Sequence, residues 1–518
     1  MNEIELKLQV PAERRAAVDA AVAGRTPAPR VRLQAAYFDT AGRALAEAAL
    51  ALRLRREDRR WVQTLKAATD DGMTRMEHNL PRGAAAPMPA IDPALHAGTP
   101  AGALLALQLA AAPDARLQTL YRTDILRRTR VLQVRAAGRP PARVELAFDS
   151  GSIFARDTSV DVCELEIEWL AGSPRAVLDT ARVWRARFGL WLDLRSKAER
   201  GDLLARGETV APAKFARSVS LAADMDSRAA WQAVLRSCAE QILANASQIA
   251  AGAYAPEHVH QLRVGLRRLR SALALFGEGA TAFDLRGGAA SLFRGLGAMR
   301  DLAVIEAEFG ADLRTAMRSA GLAADEPPPE AAIADLTATE LLRSAPSQTL
   351  LFDLLDAVQA GRADAVPAVR ATAPPVEQVA TNVRDATPLR ARLAARLNRW
   401  HRGLVADAER YAMLDDTRRH RLRKHAKRLR YAAEFSAALF KRHKVGRYLK
   451  ALRALQERLG AAADVSMAIE TFARRAPGDA DAMFALGWLV ARREFLIEAA
   501  APALQAFVKV DRFWKSGH

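Results

Sequence analysis

The chain has 518 residues, enough for two large or three ordinary domains, and half of them are hydrophobic, so sizeable cores can be buried. Its 77 Lys and Arg exceed 59 Asp and Glu for a formal charge of +18, which calls for a polyanionic partner: nucleic acid, a phosphate polymer or an acidic membrane face. Aromatics at 6% are too few for rows of base-stacking platforms, which argues against nucleic acid, and two cysteines, Cys163 and Cys238, make neither a disulfide framework nor a four-thiolate zinc site.

The opening Met-Asn-Glu-Ile-Glu-Leu-Lys carries acids where a secretory leader has positive charge. The longest Ala/Leu runs, Leu104 to Ala112 and Ala482 to Val490, fall short of the about 20 apolar residues of a membrane span. A soluble cytoplasmic protein with no membrane partner is expected. Up to about Gly207 the chain reads as short strands. Glu3 to Val10, Ala49 to Arg56, Trp61 to Ala67, Thr74 to Leu80, Arg143 to Phe148 and Val162 to Trp169 alternate between Gly, Pro and Asp breaks. Alternation places Glu3, Glu5 and Lys7 on one face, and likewise Arg53 with Arg55, Arg75 with Glu77, and Glu164 with Glu166 and Glu168, while Lys66 ends the Trp61 strand. In any one strand such a face is ordinarily wetted and braced by cross-strand ion pairs. Five strands sharing it predict a closed antiparallel barrel with a polar lumen rather than a packed centre. Its carboxylates suit Mg2+ or Mn2+, and its cations suit a multiply charged phosphate.

Residues 207–226, with Pro212 and little periodicity, form the expected linker between a first domain at 1–206 and a second at 227–518. Beyond it Ala, Leu and Arg recur at helical spacing, interrupted by the Pro-rich Asp325-Glu-Pro-Pro-Pro-Glu330 and the run from Gly361 to Pro388. The halves, about 227–360 and 389–518, share a repeat. His260-Gln-Leu-Arg263-Val-Gly-Leu-Arg267-Arg268-Leu-Arg270 returns as His420-Arg-Leu-Arg423-Lys-His-Ala-Lys427-Arg428-Leu-Arg430, followed in turn by Leu296-Gly297-Ala-Met-Arg-Asp301 and Leu459-Gly460-Ala-Ala-Ala-Asp464. His260, Arg263, Arg267 and Arg270 make one helical stripe beside Leu262, Leu266, Leu269 and Leu273. His420, Arg423, Lys427 and Arg430 repeat it beside Leu422, Ala426 and Leu429. Cations one turn apart, about 5.4 Å in rise, match a chain of phosphates, and spacing alone admits polyphosphate or a nucleic-acid backbone. A solvated face accounts for a single such helix, but repetition in register argues against it. For the two histidines, a bond to a neighbouring element and contact with an anion are equally good readings, and no Cys or carboxylate recurs beside them at metal-ligand spacing. Residues 1–210 hold 32 basic and 26 acidic residues, leaving 45 and 33 for the rest, so most of the excess charge is helical. Lys441, Arg442, His443 and Lys444 extend it.

Across residues 1 to 205, an ordered set of motifs resembles the CYTH family, the triphosphate tunnel metalloenzymes. The set is Glu3-x-Glu5-x-Lys7, Tyr37-Phe-Asp-Thr40, Leu52-Arg53-Leu-Arg55, Thr64-Leu-Lys66, Arg75-x-Glu77, Tyr121-Arg-Thr-Asp124 with Arg127, Glu145 to Asp149, Glu164-Leu-Glu166-Ile-Glu168, and Ser196-Lys-Ala-Glu-Arg-Gly201. The resemblance implies metal-dependent hydrolysis of inorganic triphosphate to pyrophosphate and phosphate. It implies phosphate contacts from Arg53, Arg55, Lys66, Arg75, Arg122, Lys197 and Arg200, and Mg2+ or Mn2+ ligation by Glu3, Glu5, Glu77, Glu145, Asp149, Glu164, Glu166 and Glu168. One metal would orient the phosphate and another would activate water for in-line attack. Lys7 and Tyr37 are the catalytic candidates, for proton transfer or phosphate contact, and Asp39 reads as a turn residue.

Residues 228 to 518 resemble the CHAD family, the conserved histidine α-helical domain, through the repeated stripe and the later Leu-Gly-x-x-x-Asp. That resemblance implies two four-helix halves and inorganic polyphosphate in a basic groove, contacted by His260, Arg263, Arg267, Arg270, His420, Arg423, Lys427 and Arg430. The expected fold class is thus α+β multidomain, an N-terminal antiparallel β-barrel followed by an all-α duplicated four-helix bundle. The region 310–388 is outside the family pattern. Two other readings compete: a non-catalytic protein that binds polyphosphate and targets its granules, and a tunnel enzyme for thiamine triphosphate or ATP. The absence of an aromatic-rich patch for a base or thiazole weighs against the second.

Overall fold

The computed structural model describes residues 2–26, 28–68, 73–84, 87–111, 116–135, 139–277, 284–305, 309–322, 336–363, 388–474 and 476–515. The Pro-rich residues 325–330, most of the run 361–388 and the side chain of Asp301 lie outside the described set. The chain forms two compact units. One comprises Met1–Phe215 with Glu240–Leu262 and Leu342–Gln359, the other Ala216–Ala239, Arg263–Leu341 and Ala360–His518. Contact thus groups two helical stretches, placed beyond the linker by sequence, with the strand-rich part.

The first unit is built on strands β1 (Asn2–Gln9), β2 (Arg30–Asp39), β3 (Leu50–Glu57), β4 (Arg60–Ala68), β5 (Thr74–Pro81), β6 (Gln118–Val134), β7 (Ala142–Ala155), β8 (Thr158–Ala171) and β9 (Trp191–Leu192). They form one antiparallel sheet in the order β5-β4-β3-β2-β6-β7-β8-β1-β9, and a further β5–β1 pairing closes the first eight into a barrel. β1 makes the seam. Its residues Glu5 to Gln9 pair with β8 along one edge, while the other edge takes β5 at Asn2 to Ile4 and β9 at Leu8 and Gln9.

Helices α1 (Arg15–Ala23), α2 (Ala44–Glu47), α3 (Pro100–Ala110), α4 (Arg175–Phe188) and α5 (Lys197–Ala205) accompany the strands, so this part is not strands alone, as its sequence had suggested. β2, β6 and β9 are further strands beyond the alternating runs picked out by sequence. Much of the apolar core lies outside the barrel wall. Leu6 and Leu8 of β1 and Leu165 and Ile167 of β8 are buried, as are Val177, Leu178, Ala181 and Trp184 of α4, which packs on those strands. Leu50, Leu52, Leu65 and Ala67 are covered by Leu45 of α2 and Ala101 and Leu105 of α3. One end of the lumen is apolar too: Leu33, Ala35, Tyr37, Tyr121, Ile125, Ile153 and Val162 cluster there with Ala198, Leu204 and Ala205 of α5. The expected polar lumen therefore occupies only part of the barrel.

The remaining helices, in chain order, are α6 (Ser227–Ala250), α7 (Pro256–Phe276), α8 (Leu285–Ile305), α9 (Ala311–Ser319), α10 (Ala338–Arg343), α11 (Ala345–Ala363), α12 (Leu389–Ala408), α13 (Asp416–Ser436), α14 (Arg442–Ala473), α15 (Ala480–Ala499) and α16 (Ala501–Val508). The two stripes lie on α7 and α13, and the two Leu-Gly steps on α8 and α14. In the second unit α13 buries Leu422, Ala426 and Leu429, and α14 buries Tyr448, Leu452, Leu455 and Leu459. His401, Tyr448, Phe507 and Trp514 form an aromatic core, with His401 Nδ1 3.0 Å from the Tyr448 hydroxyl. No helix among the described residues is long and apolar enough to cross a membrane.

Asp39 illustrates how short elements are held. Its buried carboxylate accepts from Thr40 N at 2.7 Å and from Leu45 N and Ala46 N at 2.9 Å, capping α2 after β2. This is the turn role its sequence context suggested, and it leaves no oxygen aimed at a ligand. Asp39→Ala is expected to lower the unfolding free energy by about 2 kcal/mol, measured by urea denaturation, because three backbone donors lose a charged acceptor.

Candidate functional site

Register decides which residues share the lumen. Pairing places Glu145 of β7, Glu168 of β8 and Glu5 of β1 in one rung across three neighbouring strands. The next rungs are Ala147, Glu166 and Lys7, then Asp149, Glu164 and Gln9. On the opposite wall Lys66 pairs with Glu77, Arg53 with Thr64 and Tyr37, and Glu3 with Arg75 across the seam. These residues alternate with the buried apolar ones of the outer face, which is why period-two patterning found them.

α5 brings cations into the lumen. Ser196 and Glu199 form a capping box that starts the helix: Ser196 Oγ accepts from Glu199 N at 3.1 Å, and Ser196 N donates to Glu199 Oε2 at 2.6 Å. From this first turn Lys197 Nζ contacts Asp149 at 2.6 Å, Glu166 at 2.9 Å and also Glu164, and Arg200 pairs with Glu164. A Cβ at Gly201 would lie 2.2 Å from the Tyr121 ring, so only glycine lets the helix approach so closely. Asp202 then receives a bidentate pair from Arg43 at 2.6 and 2.7 Å. Every polar residue of the Ser196 to Gly201 motif thus has a geometric task.

Asp149, Glu164 and Glu166 each offer an oxygen within 4.8 Å of the others, an arrangement that could hold a metal. Their charge is already met by Lys197, Arg200 and Arg127, the last donating to Asp149 through two bonds of 2.6 Å and also to Glu166. Burial alone would raise Glu166, but Lys197 and Arg127 hold it well below the usual carboxylate range. Nearer the seam the balance differs. Lys66 bridges Glu3 at 2.6 Å and Glu77 at 3.0 Å, while Glu5 pairs with Lys7 and, at 2.9 Å, with Arg75. Against burial, Lys7 and Lys66 hold Glu5 at about 2. Burial pushes Glu3 up to about 8, with Lys66 opposing and Glu5 and a hydrogen bond to Glu77 adding to it. Burial and the neighbouring Glu145 and Glu5 push Glu168 up to about 7, and burial also raises Glu145. Within the rung Glu145 and Glu168 are therefore short of positive charge while Glu5 is paired, and the all-oxygen donors of the rung with Glu3 fit a hard divalent cation.

Tyr37 stacks on Tyr121 with ring centroids 4.6 Å apart and accepts from Arg53 Nη1 at 3.1 Å. Burial raises its phenol, but Arg53, with Lys197 and Lys66 beside it, more than offsets this and leaves it below its ordinary value. Arg55 donates to Glu57 at 2.8 Å. Arg53 Nε and Arg200 Nε are buried without a hydrogen-bond partner. One expected contact is displaced. Arg122 is exposed, because alternation in β6 puts it on the face opposite Tyr121, Thr123 and Ile125. The β6 cation in the lumen is Arg127, which shares the parity of Tyr121 and belonged to the same motif, so the signal for it was present.

The second unit holds a different constellation. Arg263 Nη1 donates to Leu296 O at 2.7 Å and its guanidinium lies 4.6 Å from the Phe293 ring centroid. Arg423 Nη2 donates to Asp464 Oδ1 at 3.1 Å. In both copies the arginine passes the glycine of the Leu-Gly step: a Cβ at Gly297 would be 3.4 Å from Arg263 and one at Gly460 3.8 Å from Arg423. Arg263 is itself only 9% exposed, so the first copy's arginine braces two helices. Lys427 is pushed down to about 6 by burial and by Arg423 and Arg267, with Asp464 opposing. Arg270 is lowered by burial and by Arg286 and Arg294. His420 is lowered by desolvation and by Lys424, Arg423 and Lys427. His260, on the start of α7 that groups with the first unit, is half-buried, while in the second unit Arg430 pairs with Glu434 at 3.2 Å, and Lys441, Arg442 and His443 are exposed where α14 begins.

The chain thus has a barrel whose lumen sets acids against cations, followed in sequence by helices that crowd cations together. The CYTH domain family matches residues 1–201 and the CHAD domain family residues 233–473, and the chain is a CYTH–CHAD domain protein. An inorganic triphosphatase of Haemophilus influenzae is 27% identical over 173 residues, which are 32% of this chain and 44% of that one, so the chain matches less than half of that relative's length. The CHAD domain of the plant Ricinus communis is 26% identical and covers 57% of this chain and 97% of its own, with a TM-score of 0.43. A Hippeastrum adenylyl cyclase described as revealing a dominant triphosphatase activity is 18% identical and covers 40% of this chain and 96% of its own, with a TM-score of 0.27. The family assignment rests on the two domain matches.

The raised carboxyls give a pH test. Glu3 and Glu168 keep protons in the folded state that an unfolded carboxyl, near 4.5, has lost, so they reduce stability as pH rises from about 4.5 to about 8. A divalent cation binding their ionised forms reverses this. The increase in melting temperature on adding Mg2+ is expected to be larger at pH 8.5 than at pH 6, and to shrink in Glu168→Gln, as read by differential scanning calorimetry.

Proposed function

We propose that the barrel lumen hydrolyses inorganic triphosphate to pyrophosphate and phosphate, and that the helical cation cluster binds inorganic polyphosphate. The observation that carries the first part is the lumen itself, in which Arg53, Arg55, Lys66, Arg75, Arg127, Lys197 and Arg200 share one interior with a carboxylate rung whose Glu145 and Glu168 are raised for want of positive charge. The similarity to the inorganic triphosphatase of Haemophilus influenzae supports the choice of substrate. Mg2+ or Mn2+, held by Glu3, Glu5, Glu145 and Glu168 with Glu77 beside them, would supply neutralisation of the phosphate charge that repels an attacking oxygen.

The chain's own residues do the rest. An entering triphosphate exchanges the carboxylate partners of Lys66 and Arg75 for phosphoryl oxygens, Lys197 and Arg200 add charge from α5 while keeping theirs, and Arg53 and Arg55 extend that cradle along β3. Phosphoryl transfer needs little covalent help, so holding the terminal phosphorus in line with a water and stabilising the charge on the leaving pyrophosphate account for most of the catalysis. Lys7 and Tyr37 stand in the lumen as the groups able to move a proton or steady an oxygen. α5 and the apolar cluster around Tyr121 exclude bulk water from one end. Asp149, Glu164 and Glu166 serve here chiefly to position Lys197, Arg200 and Arg127.

For the second unit the carrying observation is Lys427, a half-buried amine crowded by Arg423 and Arg267, for which a polyanion would supply opposing charge. Arg267, Arg423 and Arg430 accompany it, and Arg270 with Arg286 and Arg294 continues the cation field. Low aromatic content agrees with a ligand that has no bases to stack.

Purified protein with Mg2+ is expected to release phosphate from triphosphate, and Glu5→Gln or Lys66→Ala to lower kcat/KM by at least about 100-fold, whereas Arg122→Ala changes it less than about twofold. Full activity in the first two variants would overturn the lumen assignment, and a folded wild-type protein that binds triphosphate without turnover would make it a binding module. On the helices, a bound polyanion raises Lys427 from about 6, so affinity for long-chain polyphosphate is expected to strengthen as pH falls from 8 to 6. In calorimetry that pH dependence should vanish in Lys427→Met, and Arg267→Glu with Arg423→Glu should abolish retention. Equal affinity for DNA at matched salt would instead mark a general polyanion binder.

A further inference from the structure

β9 is the last strand of the sheet, and a terminal strand leaves backbone groups that need partners. One edge is satisfied by β1: Trp191 and Leu192 pair with Gln9 and Leu8, and Asp193 N donates to Lys7 O at 3.2 Å. The other edge meets side chains from helices. Leu192 N donates to Gln348 Oε1 at 2.8 Å, Leu194 N to Ser247 Oγ at 3.1 Å, and Arg195 Nη1 to Gln248 Oε1 at 3.2 Å. Gln348 and Ser247 stand on α11 and α6, and Gln348 is fixed in turn by donating to Leu342 O at 2.8 Å. Gln348 has no exposed surface, and Ser247 and Gln248 are each 2% exposed. A buried amide with both ends bonded admits little freedom. Arg343 adds to the grip, its guanidinium 3.9 Å from the Trp191 ring centroid and its Nε donating to Ala250 O at 2.7 Å.

The segment immediately after β9 gives these contacts their importance. Asp193 accepts from Arg195 N and Arg195 Nε at 3.0 Å, Ser196 caps α5, and Lys197 is the first residue of the helix. A chain segment this short transmits any displacement of Leu192 or Leu194 to Lys197, because each residue spans at most about 3.6 Å. All three polar side chains lie beyond the CYTH match and inside the CHAD match, yet they belong to the same compact unit as the barrel.

We propose that Gln348, Ser247 and Gln248 are positioning residues for the lumen: by holding the outer edge of β9 they set where α5 delivers Lys197 and Arg200. The inference rests on the lumen being a phosphate site, and it assigns to helices of the CHAD match a part in the geometry of the CYTH lumen. Arg53 provides the contrast. It stands on β3, held by β2 and β4, and owes nothing to β9.

Full-length Ser247→Ala and Gln348→Met test this. The first removes one acceptor with little change of volume and remains informative if the second does not fold. Hydrogen exchange in residues 191–205 is expected to quicken about tenfold while β3 and β4 keep their protection. With triphosphate and Mg2+, kcat/KM is expected to fall about tenfold, a loss that disappears in an Arg200→Ala background and persists in an Arg53→Ala background. Unchanged exchange in α5, or the same loss in both backgrounds, overturns the proposal. If wild-type protein does not turn over triphosphate, the substrate reading fails, and the exchange measurement still decides whether these side chains position α5.

Discussion

Asp149 and Glu164 have no solvent-exposed surface and Glu166 little, and three such carboxylates could not remain ionised together without the amine that enters among them. Lys197 is that amine, and its position depends on the whole of α5: the Ser196 cap, the glycine against Tyr121, the Asp202–Arg43 pair. The helix is therefore both a plug for the apolar end of the barrel and the carrier of charge that allows the polar end to exist. Barrel wall and helix are one design, since the carboxylates on β7 and β8 need the helix as much as the helix needs the cluster of Leu33, Ile125 and Ile153 to pack upon.

The same accounting of charge distinguishes the two phosphate sites proposed for the chain. In the lumen most of the cations described have carboxylate partners, so a short phosphate chain would have to compete with internal acids and a metal would tip the balance. Around Lys427 the described cations crowd one another, Arg423 and Arg267 lowering the amine with Asp464 opposing, so the proposed polyanion would relieve repulsion there. The first arrangement favours selectivity for a ligand of fixed length and charge. The second favours a polymer that can slide by one phosphate without losing contacts.

The barrel was legible because β1, β3 and β8 put charge on one face and Leu or Ile on the other, with Arg75 and Glu77 of β5 alternating with Met76 and His78, and period two survives any detail of packing. β2 and β6 were harder for a physical reason: near the apolar end the sense inverts, so Tyr121 and Ile125 point inward while Arg122 and Asp124 point to solvent. A rule that sends every charged residue to the lumen misplaces Arg122, and β6 returns to the polar sense only at Arg127. α4 carried a readable signal in Val177, Leu178, Ala181, Trp184 and Phe188, apolar at helical spacing. The repeated stripe located the cation cluster, but not that Arg263 is a brace, since burial of a stripe residue depends on the facing helix, here through Leu296 and Phe293. Gln348 and Ser247 left no trace in any pattern, because a side chain that completes a strand edge is defined only by what lies across from it.

The seam at β1 bears on how the chain becomes a site at all. β1 precedes all its partners in the chain and waits for β8 on one edge and for β5 and β9 on the other, so the Glu145–Glu168–Glu5 rung joins residues from opposite ends of the domain. Such long-range pairing makes ring closure a late event, and until then the nascent chain presents an unpaired strand with alternating acids. Those acids discourage association between copies during the wait, as charges on open edges do. The carboxylates of Glu3 and Glu5, proposed above as metal ligands, thus double as protection for a strand that must stay single until β8 and β9 have left the ribosome.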